Sequence, residues 1–316
     1  MNEPLIVEVT RGSHIESLHA VDVAVVDISG KPERGWGDSN RQVLPRSAIK
    51  PIQATSLVES GAADAADLSV RELALSCSSH NAEPEHTLAV AQWLERIDAP
   101  QSVLECGAHA PIFRPAADDL LRAGSEFGNI HNNCSGKHSG FLTICAHQGF
   151  DPAGYITPQH PLHTDFITPS IEDLCRVDLS DQTPAVDGCG IPVWAVGLDQ
   201  LAAGWARLSR SEAGQRLLAA MMAEPFLVGG TDRACTALMK AGAGSVAVKT
   251  GAEGVFCAVV PNAGIGIALK ARDGNSRASD VAIEWLLNKV GAVETSGPTV
   301  LRNVAGAEVG EIRVRQ

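Results

Sequence analysis

The residues able to do chemistry here are two serines and two lysines. Ser47-Ala48-Ile49-Lys50 is an S-x-x-K. At i and i+3 of a helix the hydroxyl and the amine share a face and can hydrogen-bond. Pro51 fixes the place, because proline is tolerated only in a first helical turn, so Ser47 falls at or near a helix N-terminus. There the helix dipole favours a developing alkoxide or oxyanion. A lysine in that positive, partly desolvated position loses its proton more easily and can serve as general base. Ser79-His80-Asn81 follows, and Lys249-Thr250-Gly251 comes much later, at the end of an expected strand.

Each motif has a plainer reading. Ser47 could be an N-cap, Ser79 a cap for the helix near Pro84, and Lys249 a solvated strand-end residue. Their order argues otherwise. In serine β-lactamases and penicillin-binding proteins S-x-x-K, S-D-N and K-T-G occur in this sequence and converge on one acyl-transfer site. Two differences stand out: the middle motif is S-H-N, and it follows Ser47 more closely than in a β-lactamase, which inserts a helical domain there.

A further segment, Asn132-Asn133-Cys134-Ser135-Gly136-Lys137-His138, pairs with Asp187-Gly188-Cys189-Gly190. Two cysteines in glycine-containing turns, with His138 and Asp187 nearby, could hold zinc. The spacing matches no standard zinc finger. A polar loop with a capped helix starting near Lys137 would leave the same trace.

The elements that must position these residues fall into three blocks. Leu5–Val9 and Val21–Val26 are β-rich, with turns at Gly12, Gly30 and Gly35, and the first forty residues read as a meander. Helical patterns follow over residues 47–59, 85–97, 137–147, 211–223 and 232–241, while the proline-rich 150–163 reads as a long loop. Strands return at 245–248, 255–260 and 265–270, then an amphipathic helix near 278–290 and a short strand near 311–314 that closes the sheet. The pattern predicts an α+β fold: one domain over 1–316, an antiparallel sheet built from both termini, and a helical middle region of about 51–240.

Composition narrows the partners. With 45% hydrophobic but only 4% aromatic residues, the core must rest on Ala, Val, Leu and Ile. A net charge of -12 argues against nucleic acid and anionic membranes, which recruit Lys/Arg clusters. No run approaches the roughly 18 apolar residues of a membrane span. Eight scattered cysteines behind a start lacking signal-peptide features fit reduced thiols in a cytoplasmic enzyme.

Arg46-Ser47-Ala48-Ile49-Lys50-Pro51, Ser79-His80, the Asn132–His138 run, Asp187-Gly188-Cys189 and Lys249-Thr250-Gly251-Ala252-Glu253-Gly254 together resemble the class 3, rhizobial-type L-asparaginases. The similarity runs from the first meander to Lys270, although the chain is shorter than those enzymes around Arg207–Arg216 and at the C-terminus. The resemblance implies a homodimer with a fold similar to serine β-lactamases and glutaminases. It implies one tandem of Ser47 and Lys50, a second of Ser79 and Lys249, and a zinc ion held by Cys134, Lys137 and Cys189. Arg46, His138 and Asp187 would lie beside the substrate, L-asparagine. Which tandem holds the nucleophile stays open; the helix-terminal position favours Ser47, with backbone N–H groups near it binding the oxyanion. Arg46 and Asp187 carry the charges an α-carboxylate and an α-ammonium require. Zinc is expected to organise the pocket by orienting Asp187 and His138. Two other readings are a penicillin-interacting hydrolase, suggested by K-T-G, and a non-catalytic zinc-binding module, which would leave the four serines and lysines unexplained.

Overall fold

The computed structural model describes residues 2–294 and 297–315. Eight strands form one antiparallel sheet, in the order Thr299–Arg302, Glu308–Val314, Leu5–Arg11, His14–Asp27, Ile265–Ala271, Val255–Val260, Ala247–Thr250, with Pro32–Trp36 paired beside His14–Asp27. The long strand His14–Asp27 joins the two chain ends. Its first half pairs with Leu5–Arg11, and its second half with both Ile265–Ala271 and Pro32–Trp36. Leu5–Arg11 in turn pairs with Glu308–Val314. The α+β expectation, with a sheet assembled from both termini, is therefore met.

Val21–Val26 and Val255–Val260 are buried at every position. Such continuously buried runs, apolar except for Asp22, mean that helices cover both faces, since a one-sided sheet would alternate. Gly266 faces Ala202 of the helix Leu198–Leu208, which crosses His14–Asp27 and Ile265–Ala271. Leu269, three residues on, points to the opposite face, as do Val23 and Trp36 in register with it. There Trp36 meets Trp285 of the helix Ser276–Lys289 edge-on at 5.7 Å.

Beyond Leu198–Leu208 lie the remaining helices. Lys50–Glu59 sits in their midst, buried from Lys50 through Leu57, against Val70–Ser76, Ser135–Gln148, Thr168–Cys175 and Glu212–Ala223. Ser135–Gln148 is likewise buried from Ser135 to Cys145. A helix enclosed on all sides needs no polar face, and these two lead from the predicted serine–lysine and cysteine motifs.

The structure departs from expectation in detail. The 47–59 segment is a 3₁₀ turn, Arg46–Ile49, followed by the α-helix Lys50–Glu59 with Pro51 in its first turn. The loop before residue 161 ends in a π-helical turn, Leu162–Ile167, running into Thr168–Cys175. That helix, Leu198–Leu208 and the strand Thr299–Arg302 were not anticipated. Among the described residues no helix is long and apolar enough to cross a membrane, and all eight cysteines are buried and free.

Asp22, fully buried in the middle of His14–Asp27, ties the sheet to its flanking loops. Its carboxylate accepts from the Asp38 N–H (2.9 Å), Arg41 Nε (2.6 Å) and Arg272 Nε and Nη2 (2.9 and 2.7 Å). Hydrogen bonds to a charged group contribute about 1.5–3 kcal/mol each. Asp22→Ala is therefore expected to lower stability by at least about 2 kcal/mol, read as a fall in the urea midpoint. An unchanged midpoint would mean that the two arginines simply turn to water.

Candidate active site

Lys50 is almost completely buried, at 1% exposure, so each ammonium hydrogen needs an acceptor inside the protein. Its Nζ donates to Ser78 O (2.5 Å), Ser79 Oγ (2.9 Å) and Cys134 Sγ (3.1 Å). All three donors are then used. The side-chain contact expected between Ser47 and Lys50 is not made. Ser47 is half-buried, and its Oγ bonds to no described residue. Its backbone N–H is also without a partner among the described residues, as befits the start of a 3₁₀ turn. Arg46 just before it has φ +52°, an uncommon left-handed conformation for a non-glycine residue.

Lys249 comes from the strand Ala247–Thr250 and is 0% exposed, which excludes the solvated strand-end reading. Its Nζ donates to Ser79 Oγ (2.9 Å) and Thr250 O (2.7 Å). Burial above all pushes this amine down to about 7, with the positive charges of Lys50 and Arg233 adding to it and Cys235 opposing. Gly251 explains how the strand end gets so close. A Cβ there would lie 2.6 Å from Pro45 O and 3.3 Å from Ala48 Cβ, so only glycine lets this strand abut the Ser47 turn.

Ser79 thus has an amine on either side. It is no helix cap: the helix Pro84–Arg96 begins at Glu83 with no side-chain cap bond. The Ser79 N–H bonds to Val228 O and the His80 N–H to Asn133 O, which pins the loop to two other segments. His80 stands where S-D-N has its acid. Its Nδ1 accepts from the Ala82 N–H (3.0 Å), so Nε2 carries the hydrogen and faces Ser135 Oγ at 2.9 Å. Burial first, then His86 and Lys50, drive this imidazole far below its ordinary titration range, which makes it a neutral brace.

Next to the serine is a sulfur-rich cluster. Gly136 permits it: a Cβ would sit 2.5 Å from Leu75 O, so its absence lets Ser135–Gln148 press against Val70–Ser76. Lys137 Nζ lies 2.9 Å from Cys189 Sγ. A hydrogen bond from Cys189, together with Lys50 and Lys137, pulls the Cys134 thiol far below its usual range against the opposing effect of burial. Burial pushes the Lys137 amine down, yet the charges of Cys189 and Cys134 prevail and hold it above its usual range. Cys134, Lys137 and Cys189 are therefore brought together, a soft donor set suited to zinc. Among the described residues no three His, Cys, Asp or Glu side chains gather, so any such site depends on the lysine.

Asp187 and Arg46 pair with each other, Arg46 Nε to Asp187 Oδ1 at 2.5 Å. Burial would raise the Asp187 carboxyl, but Lys137 and Arg46 hold it below its usual range. Asp187 and Cys189 share one turn, closed by Asp187 N–H to Ile191 O and Gly190 N–H to Asp187 O. His138 Nδ1 lies 2.6 Å from Tyr155 Oη, which itself accepts from the Glu105 N–H at 3.1 Å. The phenol proton then goes to Nδ1, so His138 carries its hydrogen on Nε2, a buried donor with no partner among the described residues. Sequence reasoning missed Tyr155; its one signal was being the only tyrosine in the chain, set in a proline-rich loop.

The arrangement offers a serine hydroxyl between two amines, one poised near neutrality, a second and more accessible serine beside them, and a pair of opposite charges alongside. That combination suits acyl transfer from an amide. A family model described as L-asparaginase II matches residues 7–314. No curated protein matches the chain. Similar solved structures include a provisionally assigned beta-lactamase from Bacteroides dorei (13% identity, 85% of this chain and 92% of that one, TM-score 0.44). Others are a beta-lactamase from Mycobacterium bovis (15%, 86% and 95%, 0.42) and Mglu in its native form (14%, 90% and 69%, 0.41).

Proposed function

This chain belongs to the L-asparaginase II family and is an amidohydrolase; from that premise we propose that it hydrolyses the side-chain amide of L-asparagine to L-aspartate and ammonia by serine–lysine catalysis. The observation that carries the reading is Ser79 Oγ, 2.9 Å from both Lys50 Nζ and Lys249 Nζ.

In this scheme Ser47 is the nucleophile, because it is the hydroxyl a substrate can reach. Its oxygen attacks the amide carbon while its proton passes through Ser79 to neutral Lys249, and Lys50 keeps Ser79 oriented. The free N–H of Ser47 meets the oxyanion, a donor of the kind that contributes about 2.7–4 kcal/mol. Ammonia leaves with the returned proton, and water then cleaves the Ser47 ester by the same route in reverse. The α-carboxylate of the substrate takes Arg46 and its α-ammonium takes Asp187, while the Nε2–H of His138 is free to donate. The family resemblance also carries a homodimeric, cytoplasmic enzyme.

Zinc fits this reading through Cys134, Lys137 and Cys189. When bound, it would supply a fixed positive charge and hold the Asp187–Ile191 turn in place. Lys137 must give up its ammonium proton to become a ligand. No step of the chemistry needs the ion, because proton transfer belongs to Ser79 and the lysines.

Ser47→Ala and Lys50→Ala are each expected to abolish L-asparagine hydrolysis in folded protein. A variant keeping more than about a tenth of wild-type turnover, a loss under about 1.4 kcal/mol, would sink the scheme. An electrophilic asparagine analogue should label Ser47 in a peptide map; label on Ser79 would exchange the two roles.

Depression of Lys249 to about 7 sets the pH dependence. The base works neutral, so kcat should rise as pH climbs through about 7 and level off well below the roughly 10.4 of free lysine. A rate falling steadily above neutrality would assign the key role to a protonated group.

Stripping the metal, or Cys189→Ala, should mainly raise KM and lower kcat far less than Ser47→Ala does. Loss of kcat as complete as in the serine variant would place the ion in the chemical step. Elemental analysis finding no zinc in protein prepared without chelator would return the cysteines to plain buried thiols.

A further inference from the structure

The loop carrying Ser79 is held from one side by a segment that none of the motifs includes. Asn81, 2% exposed, donates from Nδ2 to Thr231 O (2.8 Å) and Glu83 Oε1 (3.2 Å). Glu83 accepts from the Thr231 N–H and Oγ1, both at 2.7 Å. The remaining polar atom of Asn81, Oδ1, accepts from Arg233 Nη1 at 2.8 Å. Ala82, between Asn81 and Glu83, has φ +56°, a conformation an alanine keeps only when its surroundings impose it. Residues 228–233 therefore clasp the chain immediately after Ser79 at several points, beginning with the Ser79 N–H on Val228 O.

Arg233 stands out within this clasp. It is half-buried and donates to the neutral Asn81 amide, with the Glu83 carboxylate on the far side of that amide and the buried Asp280 carboxyl within reach of its charge. A guanidinium that orients a neutral amide without a direct carboxylate contact acts at a distance on the charged groups around it, Asp280 and Lys249 among them.

We propose that Arg233 is a positioning residue of the active site, fixing Asn81 so that Ser79 stays between Lys50 and Lys249. Its charge, which also acts on Asp280, works against protonation of Lys249 as a second effect. The inference rests on the Ser79–lysine reading above. Lys249 is faced by Lys50 and by the thiols of Cys77, Cys134, Cys235 and Cys257. Lys50 acts on it in the same direction as Arg233, and Cys235 and Cys134 in the opposite one.

The two roles separate in kinetics of the full chain with L-asparagine. Arg233→Gln should lower kcat at pH 7 by about 10- to 10²-fold and move the acid limb of the kcat profile to higher pH, with KM little changed. Arg233→Lys, which keeps the charge, should leave the limb where it is. Asn81→Ala removes the acceptor and spares the charge, so it should lower kcat without moving the limb. A wild-type rate in Asn81→Ala, or an unmoved limb in folded Arg233→Gln, overturns the proposal. Should Arg233→Gln fail to fold, Asn81→Ala still decides the positioning role, and Asn81→Asp, which sets a carboxylate against the guanidinium, must then raise the limb. Ser79→Ala distinguishes the layers. If it stays active, the Ser79 reading itself falls; if it is inactive while Arg233→Gln and Asn81→Ala run at wild-type rates, only this inference falls.

Discussion

Burying two lysine amines against one serine hydroxyl is the constraint that orders this structure. An isolated ammonium taken out of water is so costly that it either finds partners or loses its proton. The two lysines take different routes. Lys50 has three acceptors around it, one of them the Cys134 sulfur drawn toward thiolate. Lys249 has a hydroxyl and a carbonyl, and burial brings it toward the neutral amine. Two lysines on one oxygen thus meet different surroundings, three acceptors around Lys50 and burial toward the neutral amine at Lys249.

That solution requires parts far apart in the chain. Lys50 comes from the start of a fully enclosed helix, Lys249 from the edge strand of the large sheet, Ser79 from a loop between helices, and Cys134 from the start of a second enclosed helix. Each junction is tight. Gly251 lets the strand meet the Ser47 turn, and Gly136 lets one helix lie on another. The sulfur cluster is joined to the serine site through the Lys50–Cys134 contact, and to the Arg46–Asp187 pair through the turn shared by Asp187 and Cys189. A change at either cysteine would therefore reach both Lys50 and the Arg46–Asp187 pair.

Much of this was legible in the sequence, for identifiable reasons. The β-rich residues Val21–Val26, which include Asp22, and Val255–Val260 read as strands, and both lie within the large sheet. Amphipathic helices with caps, such as Glu212–Ala223 behind Ser211, came out within a residue or two. The structure brings Lys50, Ser79, Lys249 and Cys134 together, and the serine, lysine and cysteine motifs were singled out by their order along the chain and by the family resemblance. Their partners were not. An i,i+3 rule pairs Lys50 with Ser47, yet the lysine reaches 29 residues along the chain to Ser79. Local spacing cannot say which acceptor a buried donor will choose, since that depends on tertiary packing. Tyr155, Glu83, Thr231 and Arg233 were invisible for the same reason: each acts by holding another residue.

The ion pair between Arg46 and Asp187 answers the same cost of burial. Left alone, a guanidinium and a carboxylate beside a buried catalytic centre would each carry a desolvation cost. Paired, they keep one another compensated until a ligand arrives. On the proposed function, an amino-acid zwitterion bears one charge of each sign, so it would replace both partners at once without leaving either bare. An amide lacking the α-carboxylate could satisfy only Asp187 and would strand Arg46. On that proposal, selectivity for amino-acid amides over simple amides would follow from electrostatics at the pair. Discrimination by chain length would fall to the distance between that pair and Ser47.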